Sequence, residues 1–147
     1  MEKQPEVAIV KANCLLFEGY ELYWLFGRSQ LEFVLKDVEV FASPSSAGSA
    51  RYRDTMLPVV ELEDYFGLTP GTATGSGQYL VVRTVRNRTK LVKIIVKTSY
   101  ALKVHKLDAG FAKISSLRFS QNGGDVLGFY SFAQDKIAAI PDIAKIS

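Results

Sequence analysis

Residues 48–68 read GSARYRDTMLPVVELEDYFGL, and the order of features in this stretch decides the class of fold. Met56–Leu62 is rich in β-formers, and its Pro58 belongs at a strand start, an edge or a bulge, because proline cannot donate to a sheet ladder. Glu63–Phe66 can form one helical turn that Gly67 ends. Three apolar side chains have the spacing of a core-facing segment: Leu57, Val59 and Leu62. The stretch therefore predicts a loop, a buried strand and one helical turn in succession.

Short β-rich runs with turn signals between them extend on both sides of this stretch. Tyr79–Val85 and Leu91–Thr98 flank the turn Arg86-Asn87-Arg88-Thr89 and form the clearest predicted hairpin. Leu127–Phe132 and Lys136–Ile140 predict a second hairpin. Further short strands are predicted at Leu31–Leu35, Val38–Val40 and Tyr100–Val104, whereas SPSSAGSA at 43–50 has the composition of a loop. Many short strands of this kind predict an all-β barrel or sandwich.

A faint internal repeat suggests how the strands are organised. Gly48 opens a stretch that leads to LPVVEL at 57–62, and Gly128 opens a stretch that leads to AAIPDI at 138–143, about 80 residues later. Two similar halves at this spacing suggest a duplicated small barrel. The match involves only a few residues, so coincidence is the alternative explanation.

Length and composition place the chain among folded, single-domain proteins. The chain has 147 residues, 48% of them apolar and 22% charged, and this length suits one domain. The start MEKQPEVAIV lacks the apolar run of a secretory signal, and no stretch approaches the ~18 apolar residues of a membrane helix. Cys14 is the single cysteine, which excludes an intrachain disulfide. We therefore expect a cytoplasmic protein.

The positive charge is concentrated in one part of the sequence. Net charge is +3, and the 65–107 segment contains no Asp or Glu. It contains eight basic residues: Arg83, Arg86, Arg88, Lys90, Lys93, Lys97, Lys103 and Lys106. One hypothesis is a nucleic-acid-binding barrel that uses the basic hairpin 83–93 for phosphates and Tyr79 for base stacking. The alternative, which we favour, is an ordinary solvated face of strands and turns.

The sequence offers little for catalysis or for a cofactor. His105 is the only histidine, and no G-x-S-x-G elbow accompanies it. One histidine and one cysteine, far apart in the chain, do not make a metal site. Gly71, Gly75 and Gly77 lack the Gly-Lys-Ser/Thr of a phosphate loop. We therefore predict neither an enzyme nor a bound cofactor.

The run from Gly48 to Leu68 resembles the signature of CheW-like domains, in which a glycine and an arginine precede an apolar-Pro-Val-apolar-acid-Leu run that closes on Phe-Gly-Leu. The resemblance covers roughly residues 24–147, so residues 1–23 are expected to be an N-terminal extension, either a strand pair or a short helix. The resemblance implies an all-β fold of two intertwined five-stranded SH3-like barrels. It also implies a non-enzymatic adaptor that couples chemoreceptors to a CheA-like histidine kinase in chemotaxis or surface motility, without a cofactor.

The resemblance also implies which residues bind partners. The arginine that matches the signature is Arg53, and we predict that it contacts the kinase regulatory domain or the chemoreceptor tip, with Arg51 and Asp54 beside it. Val38 and Phe41 are predicted to line an apolar partner groove. The alternatives are a surface arginine paired with Asp54 or Glu61, and core packing for the two apolar side chains.

Three positions depart from the family pattern, and one of them is Pro141, which stands where the family usually has an aliphatic residue. Asp54 replaces the family's turn glycine, where a positive φ would disfavour it relative to glycine. Lys97 stands where the family commonly has an acid. A CheW-like protein that has lost kinase coupling is therefore a further hypothesis.

Overall fold

The computed structural model describes residues 5–16, 19–43, 46–73, 77–108 and 110–147. The described residues form twelve β-strands and two four-residue α-helices. The strands are β1 Glu6–Lys11, β2 Glu21–Gly27, β3 Leu31–Leu35, β4 Val40–Ser43, β5 Ser46–Tyr52, β6 Thr55–Val60, β7 Tyr79–Arg86, β8 Lys90–Lys97, β9 Lys103–Lys106, β10 Ala112–Ile114, β11 Val126–Ala133 and β12 Lys136–Pro141. The helices are α1 Leu62–Tyr65 and α2 Ile143–Ile146, and short 3-10 turns span Arg28–Gln30 and Gly123–Asp125.

The strands form two curled sheets, which confirms the predicted all-β class with two SH3-like barrels. The sheet with the order β10-β11-β12-β2-β1-β9 is called the first barrel, and the sheet with the order β3-β7-β8-β6-β5-β4 is called the second barrel. Each contains six described strands, one more than the resemblance implied. The chain enters the second barrel after β2 and returns to the first at β9, so the second barrel is inserted between two parts of the first.

The predicted repeat is confirmed by the topology of the two barrels. In the second barrel, the β5–β6 hairpin leads into α1, and β6 runs parallel to β8. In the first barrel, the β11–β12 hairpin leads into α2, and β12 runs parallel to β2. The two sheets therefore have one strand order, in which β1 and β2 complete the first barrel as β7 and β8 complete the second.

The N-terminal segment belongs to the first barrel, in contrast to the predicted extension. Strand β1 lies between β2 and β9 in the middle of the sheet, and β2 spans the boundary that the sequence had placed after residue 23. The reason is hydrophobic burial, because Val7–Val10 are 0–5% exposed and fill two different apolar cores. The described part of residues 1–23 therefore includes a central strand.

Two further elements differ from the sequence-based prediction. The loop predicted at 43–50 contains β5 from Ser46 onward, and Pro44 and Ser45 lie outside the described residues. Strand β5 forms because it pairs with β4 on one side and with β6 on the other, and these partners outweigh its small, turn-favouring residues. The strand predicted at Tyr100–Val104 is displaced to β9, where it pairs with β1.

Three apolar cores explain why the central strands are apolar at every position. The largest core lies between the two barrels and includes Trp24, Phe66 and Ile94, and each barrel has a smaller core inside it. Neighbouring residues on one strand alternate between these cores: Ile94 faces the other barrel, whereas Ile95 faces the interior of its own. Burial on both faces removes the polar alternation that marks half-exposed strands.

Within the described ranges, no helix is long and apolar enough to cross a membrane.

Candidate partner-binding site

The tight turn between β5 and β6 presents Arg53 and Asp54 to solvent. Tyr52 and Thr55 form the closing pair of this hairpin, so the loop has two residues. Arg53 has φ of 55°, whereas Asp54 is not among the residues with positive φ. The strained position of the turn is therefore the arginine, and replacing the family's glycine by Asp54 carries no left-handed strain.

Arg53 lies over the ring of its neighbour and is not held by a carboxylate. Its guanidinium carbon is 5.2 Å from the centroid of the Tyr52 ring, a cation–π arrangement. Arg53 makes no ion pair within the described part of the chain. Glu61, one of its two predicted alternative partners, instead lies 3.2 Å from the ammonium of Lys97. Arg53 thus stays available to an outside acceptor.

The two other predicted residues of this surface lie on the outer face beside the turn. Arg51 is exposed and stands opposite Met56 in the hairpin, and Phe41 stands opposite Ser49. Ser49 and Arg51 are two residues apart on β5, so they share a face. Phe41 is 47% exposed and Met56 is 45% exposed. We call Phe41, Arg51, Arg53 and Met56 the outer patch.

Val38 lies elsewhere, because its side chain packs against the core inside the second barrel. It is half-buried there beside Leu35 and Tyr79, which agrees with the core-packing alternative. The structure therefore brings Phe41, Arg51, Arg53 and Asp54 to neighbouring positions on the β4–β5–β6 segment and places Val38 beneath them. Val38 thus packs against a core whereas Phe41 is exposed, and their joint role in a partner groove stays a prediction.

A cavity opens next to Arg53 at this end of the second barrel. It has a volume of about 230 Å³. Six residues line it: Tyr52, Arg53, Thr55, Leu57, Leu91 and Lys93. Strands β6 and β8 run parallel with Val59 opposite Ile95, so the first residues of both strands lie at the same end of the barrel. We call this space the mouth cavity.

An ion-paired carboxylate lies beside the mouth cavity. The ammonium of Lys93 is 2.9 Å from Glu32 Oε1, and a guanidinium nitrogen of Arg83 is 3.3 Å from the same oxygen. The Glu32 side chain is only 11% exposed. Its pKa is lowered mainly by the hydrogen bond from Lys93, which favours the carboxylate form. Glu32 therefore remains charged at neutral pH and is shared between two cations.

The Tyr52 hydroxyl is the unusual polar group of this region. The residue is 7% exposed, and its hydroxyl is buried without a hydrogen bond of normal geometry in the described structure. Burial raises the pKa of Tyr52, and the neighbouring Glu32 raises it further. The phenol therefore stays protonated and can donate. The group placed to accept from this hydroxyl is the Glu32 carboxylate, since the interaction between the two raises the pKa of Tyr52 and lowers the pKa of Glu32.

Contacts within the protein occupy most of the basic hairpin 83–93. Arg83 and Lys93 both pair with Glu32, and a guanidinium nitrogen of Arg86 donates to the carbonyl of Ala144 at 2.7 Å. Tyr79 packs against the core of the second barrel and is not free to stack on bases. Two cations remain fully exposed at the tip: Arg88 and Lys90. The geometry therefore disfavours the nucleic-acid hypothesis.

The residues considered for catalysis are not brought together. His105 lies exposed on β9, and Cys14 is half-buried, with burial raising the pKa of its thiol to about 11. Gly77 is packed against backbone, since a Cβ there would lie 2.3 Å from the carbonyl oxygen of Thr98. Among the described residues, no group of three or more His, Cys, Asp or Glu side chains is arranged to hold a metal ion. Gly75, of the glycine-rich loop, lies outside the described residues.

Sequence reasoning missed the residues that surround the mouth cavity. A signal was nevertheless present, because Lys93 interrupts the apolar run of β8 and lies two residues from Ile95, on the face that points into the barrel. Glu32 interrupts β3 in the same way. A charged residue within a buried strand needs a partner of opposite charge, and these two charges pair with each other.

No protein-family model matches the chain, and no curated protein gives a significant sequence match. Among solved structures, the crystal structure of the scaffolding protein TtCheW from Thermoanaerobacter tengcongensis superposes with a TM-score of 0.66 at 17% sequence identity. The match covers 96% of this chain and 86% of that chain. The chain has the CheW fold. At this identity the likeness establishes the fold alone.

Proposed function

We propose that this chain is a cytoplasmic, non-catalytic CheW-like adaptor that couples a chemoreceptor tip to the regulatory domain of a histidine kinase in chemotaxis or motility signalling. The observation that carries the proposal is the position of Arg53 on the CheW fold: the signature arginine stands on an exposed turn, without an ion pair among the described residues. The positive φ of Arg53 is what a tight two-residue hairpin turn requires, so the turn geometry fixes the arginine at the exposed tip of the hairpin.

The chemistry of the outer patch supports protein–protein binding. Arginine and methionine are enriched at protein interfaces, and aromatic residues frequently anchor them. Phe41 and Met56 expose apolar surface beside Arg51 and Arg53, so a partner can cover an apolar centre while its acidic groups meet the two guanidinium groups. This combination suits an acidic surface that carries one or two apolar side chains.

Two of the three departures from the family pattern, Asp54 and Lys97, are accommodated locally. Asp54 takes the glycine position without needing positive φ. Lys97, which reverses the family's usual charge, is paired with Glu61 at 3.2 Å. Asp54 is exposed to solvent without left-handed strain, and Lys97 has a partner of opposite charge. These observations favour retained coupling over the hypothesis that coupling has been lost.

The experiment that tests the proposal is isothermal titration calorimetry with the kinase regulatory domain and with the receptor tip from the protein's own source. Wild type is compared with Arg53→Glu and with Lys113→Glu, a matched charge reversal at an exposed position on β10 of the first barrel. Circular dichroism melting checks the fold of each variant. We expect wild type to bind with micromolar or better affinity, Arg53→Glu to bind at least about tenfold more weakly, and Lys113→Glu to match wild type.

The partner whose binding Arg53→Glu weakens is the protein that Arg53 contacts. Weaker kinase binding alone places Arg53 at the kinase, and weaker receptor binding alone places it at the receptor. If wild type binds neither partner, the adaptor proposal fails. If Arg53→Glu and Lys113→Glu weaken binding equally, the proposed role of Arg53 fails.

A further inference from the structure

We infer that the mouth cavity accepts a carboxylate side chain of the adaptor's partner, an Asp or Glu that follows or precedes an apolar residue. This inference rests on the proposed function, because it specifies the chemistry of the partner surface that meets Arg53. It goes further in assigning a role to Tyr52, Lys93 and Leu91, which lie beneath the turn and not on the outer patch.

The charges around the cavity leave it positive. Arg53 and Lys93 line it, and Arg83 lies next to it through Glu32. Three cations face one carboxylate, so one anion is insufficient to neutralise the group. Glu32 already engages Lys93 and Arg83, whereas Arg53 has no ion pair in the described part of the chain. An incoming carboxylate therefore finds an unpaired guanidinium and a lysine that can be shared.

The Tyr52 hydroxyl supplies the second argument. It is buried and protonated, and its side chain lines the cavity. Glu32 and Arg53 both lie within reach of the hydroxyl, so this donor stands between the resident carboxylate and the guanidinium that has no ion pair in the described part of the chain, and an incoming carboxylate would share it with Glu32. A carboxylate oxygen in the cavity can accept a hydrogen bond from this hydroxyl.

The size and the walls of the cavity select one side chain. Its volume of about 230 Å³ is below the range of roughly 300–1,000 Å³ that is typical of sites for drug-sized ligands, and it therefore suits a single side chain. Leu57 and Leu91 form an apolar wall, and Leu91 is 54% exposed at the rim. An apolar neighbour of the incoming acid can cover Leu91.

The neighbouring Glu32 argues for a carboxylate over a phosphate group. Glu32 lies beside Tyr52 and remains ionised at neutral pH. A phosphate group carries nearly two negative charges at pH 7, so its repulsion by Glu32 exceeds that felt by a carboxylate. The apolar wall formed by Leu57 and Leu91 likewise favours a side chain with methylene groups over a compact oxyanion.

The first test is an NMR titration of the isotopically labelled full chain with the peptide acetyl-Leu-Glu-Leu-amide. The matched controls are acetyl-Leu-Gln-Leu-amide and inorganic phosphate at the same ionic strength. We expect saturable shifts of the backbone amides of Tyr52, Arg53, Thr55 and Leu91 with the Glu peptide, at a dissociation constant of roughly millimolar order, because a single side chain makes few contacts. The Gln peptide and phosphate should shift these amides at most weakly. Equal responses to the Glu and Gln peptides, or a stronger response to phosphate, overturn the inference.

The second test separates a binding role from a structural one. Tyr52→Phe removes only the hydroxyl, and Lys93→Met removes the charge but keeps the apolar stem, with Arg83 still available to Glu32. Lys97→Met is the control, since Lys97 is also ion-paired and lies on the same strand. We expect a loss of affinity for the Glu peptide of roughly three- to tenfold in the first two variants and none in the control. A Tyr52→Phe variant that melts at a lower temperature and binds the peptide normally contradicts the inference, because its hydroxyl is then structural.

The failure of this inference is distinguishable from failure of the proposed function. If the peptide does not bind while the kinase domain or the receptor tip binds wild type, the adaptor function stands and the mouth cavity plays no part in it. If the peptide binds while neither protein does, the cavity is a carboxylate site and the proposed partners are wrong.

Discussion

In the first barrel, the cavity beside the β11–β12 hairpin has a volume of about 300 Å³ and is lined by an acid and a cation, Asp135 and Lys136, whereas the mouth cavity beside the equivalent β5–β6 hairpin of the second barrel is lined by two cations, Arg53 and Lys93. The first barrel also contains an aromatic cluster that includes Phe132 of β11. Phe132 stacks on Phe111 at 5.4 Å and meets the edge of Tyr23 at 5.2 Å between ring centroids. A β-bulge between Ser131 and Ala133 surrounds Phe132 in the first barrel. The β5–β6 hairpin has no such bulge, and the mouth cavity lies beside it.

This difference shows that one strand order can carry different side chains beside its equivalent hairpins. Packed rings contribute apolar burial and fix neighbouring strands, so the aromatic cluster of the first barrel contributes to stability. Beside the mouth cavity the second barrel instead keeps a largely buried carboxylate between two cations, Arg83 and Lys93. The two barrels thus share one strand order and differ in the side chains beside their equivalent hairpins.

The largest effect is expected from the two glycines that open the repeats. Gly48 has φ of 118°, and a Cβ there would lie 2.8 Å from a methyl carbon of Val40, whereas a Cβ at Gly128 would meet nothing closer than the Tyr130 ring at 3.4 Å. We expect Gly48→Ala to lower the free energy of unfolding by roughly 2–3 kcal/mol, and Gly128→Ala by less than about 1 kcal/mol. Urea denaturation measures both. Equal losses would mean that the two hairpins have the same backbone requirements.

A smaller effect is expected from removing one large side chain in each barrel, Phe132 in the first and Leu91 in the second. Phe132→Ala removes a half-buried ring from the aromatic cluster of the first barrel and should cost roughly 2 kcal/mol, less than the 3–5 kcal/mol typical of fully buried rings. Leu91→Ala, at the rim of the mouth cavity, should change stability by no more than about 0.5 kcal/mol. Thermal denaturation of the two variants measures both losses of stability. If Leu91→Ala lowered stability as much as Phe132→Ala, the rim of the mouth cavity would be part of a packed core.

The smallest effect is expected from the ion pairs of Glu32. Its pKa is lowered in the folded protein from an ordinary value of 4.5, so the stabilisation is present above pH 4.5 and is lost as the pH falls through the lowered pKa. Wild type should therefore be more stable than Glu32→Gln at pH 7, and the difference should shrink as the pH falls below 4.5 and through the lowered pKa. Urea denaturation at several pH values measures this difference.

Glu39→Gln provides the control for that series, since Glu39 is exposed and has no ion pair among the described residues. Its stability relative to wild type should stay nearly constant over the same range. A pH-independent gap between wild type and Glu32→Gln would show that the triad of Glu32, Arg83 and Lys93 does not couple ionisation to folding.

Local signals in the sequence predicted much of the second barrel and one hairpin of the first. The β7–β8 turn was predicted at residues 86–89, and Asn87 and Arg88 have positive φ there, as tight hairpin turns require. The β11–β12 hairpin and the helical turns at Glu63–Phe66 and at the C-terminal DIAKIS segment were also close to their observed positions. These features depend on neighbours in the chain, so their signals lie in short windows.

Features that depend on distant partners were not predicted. Strand β1 pairs with β2 on one side and with β9, about 100 residues later, on the other, and no local pattern separates this arrangement from a short helix. Strand β5 forms despite its loop-like composition because two strands flank it. The mouth cavity combines residues of β5, β6, β8 and the turn between the first two, and its residue spacing has no period in the sequence.

By itself, the sequence determined the all-β class, the duplication and the place of Arg53 on a turn before a buried strand, because alternation, turn residues and the Gly48–Leu68 run are local properties of the chain. The tertiary structure alone decided that β1 completes the first barrel and that Val38 is packed inside while Phe41 is exposed. It also decided that Arg86 binds the backbone while Arg53 has no ion pair among the described residues. These outcomes follow from which distant strand lies beside each residue, and burial and ion pairing are set by that neighbour.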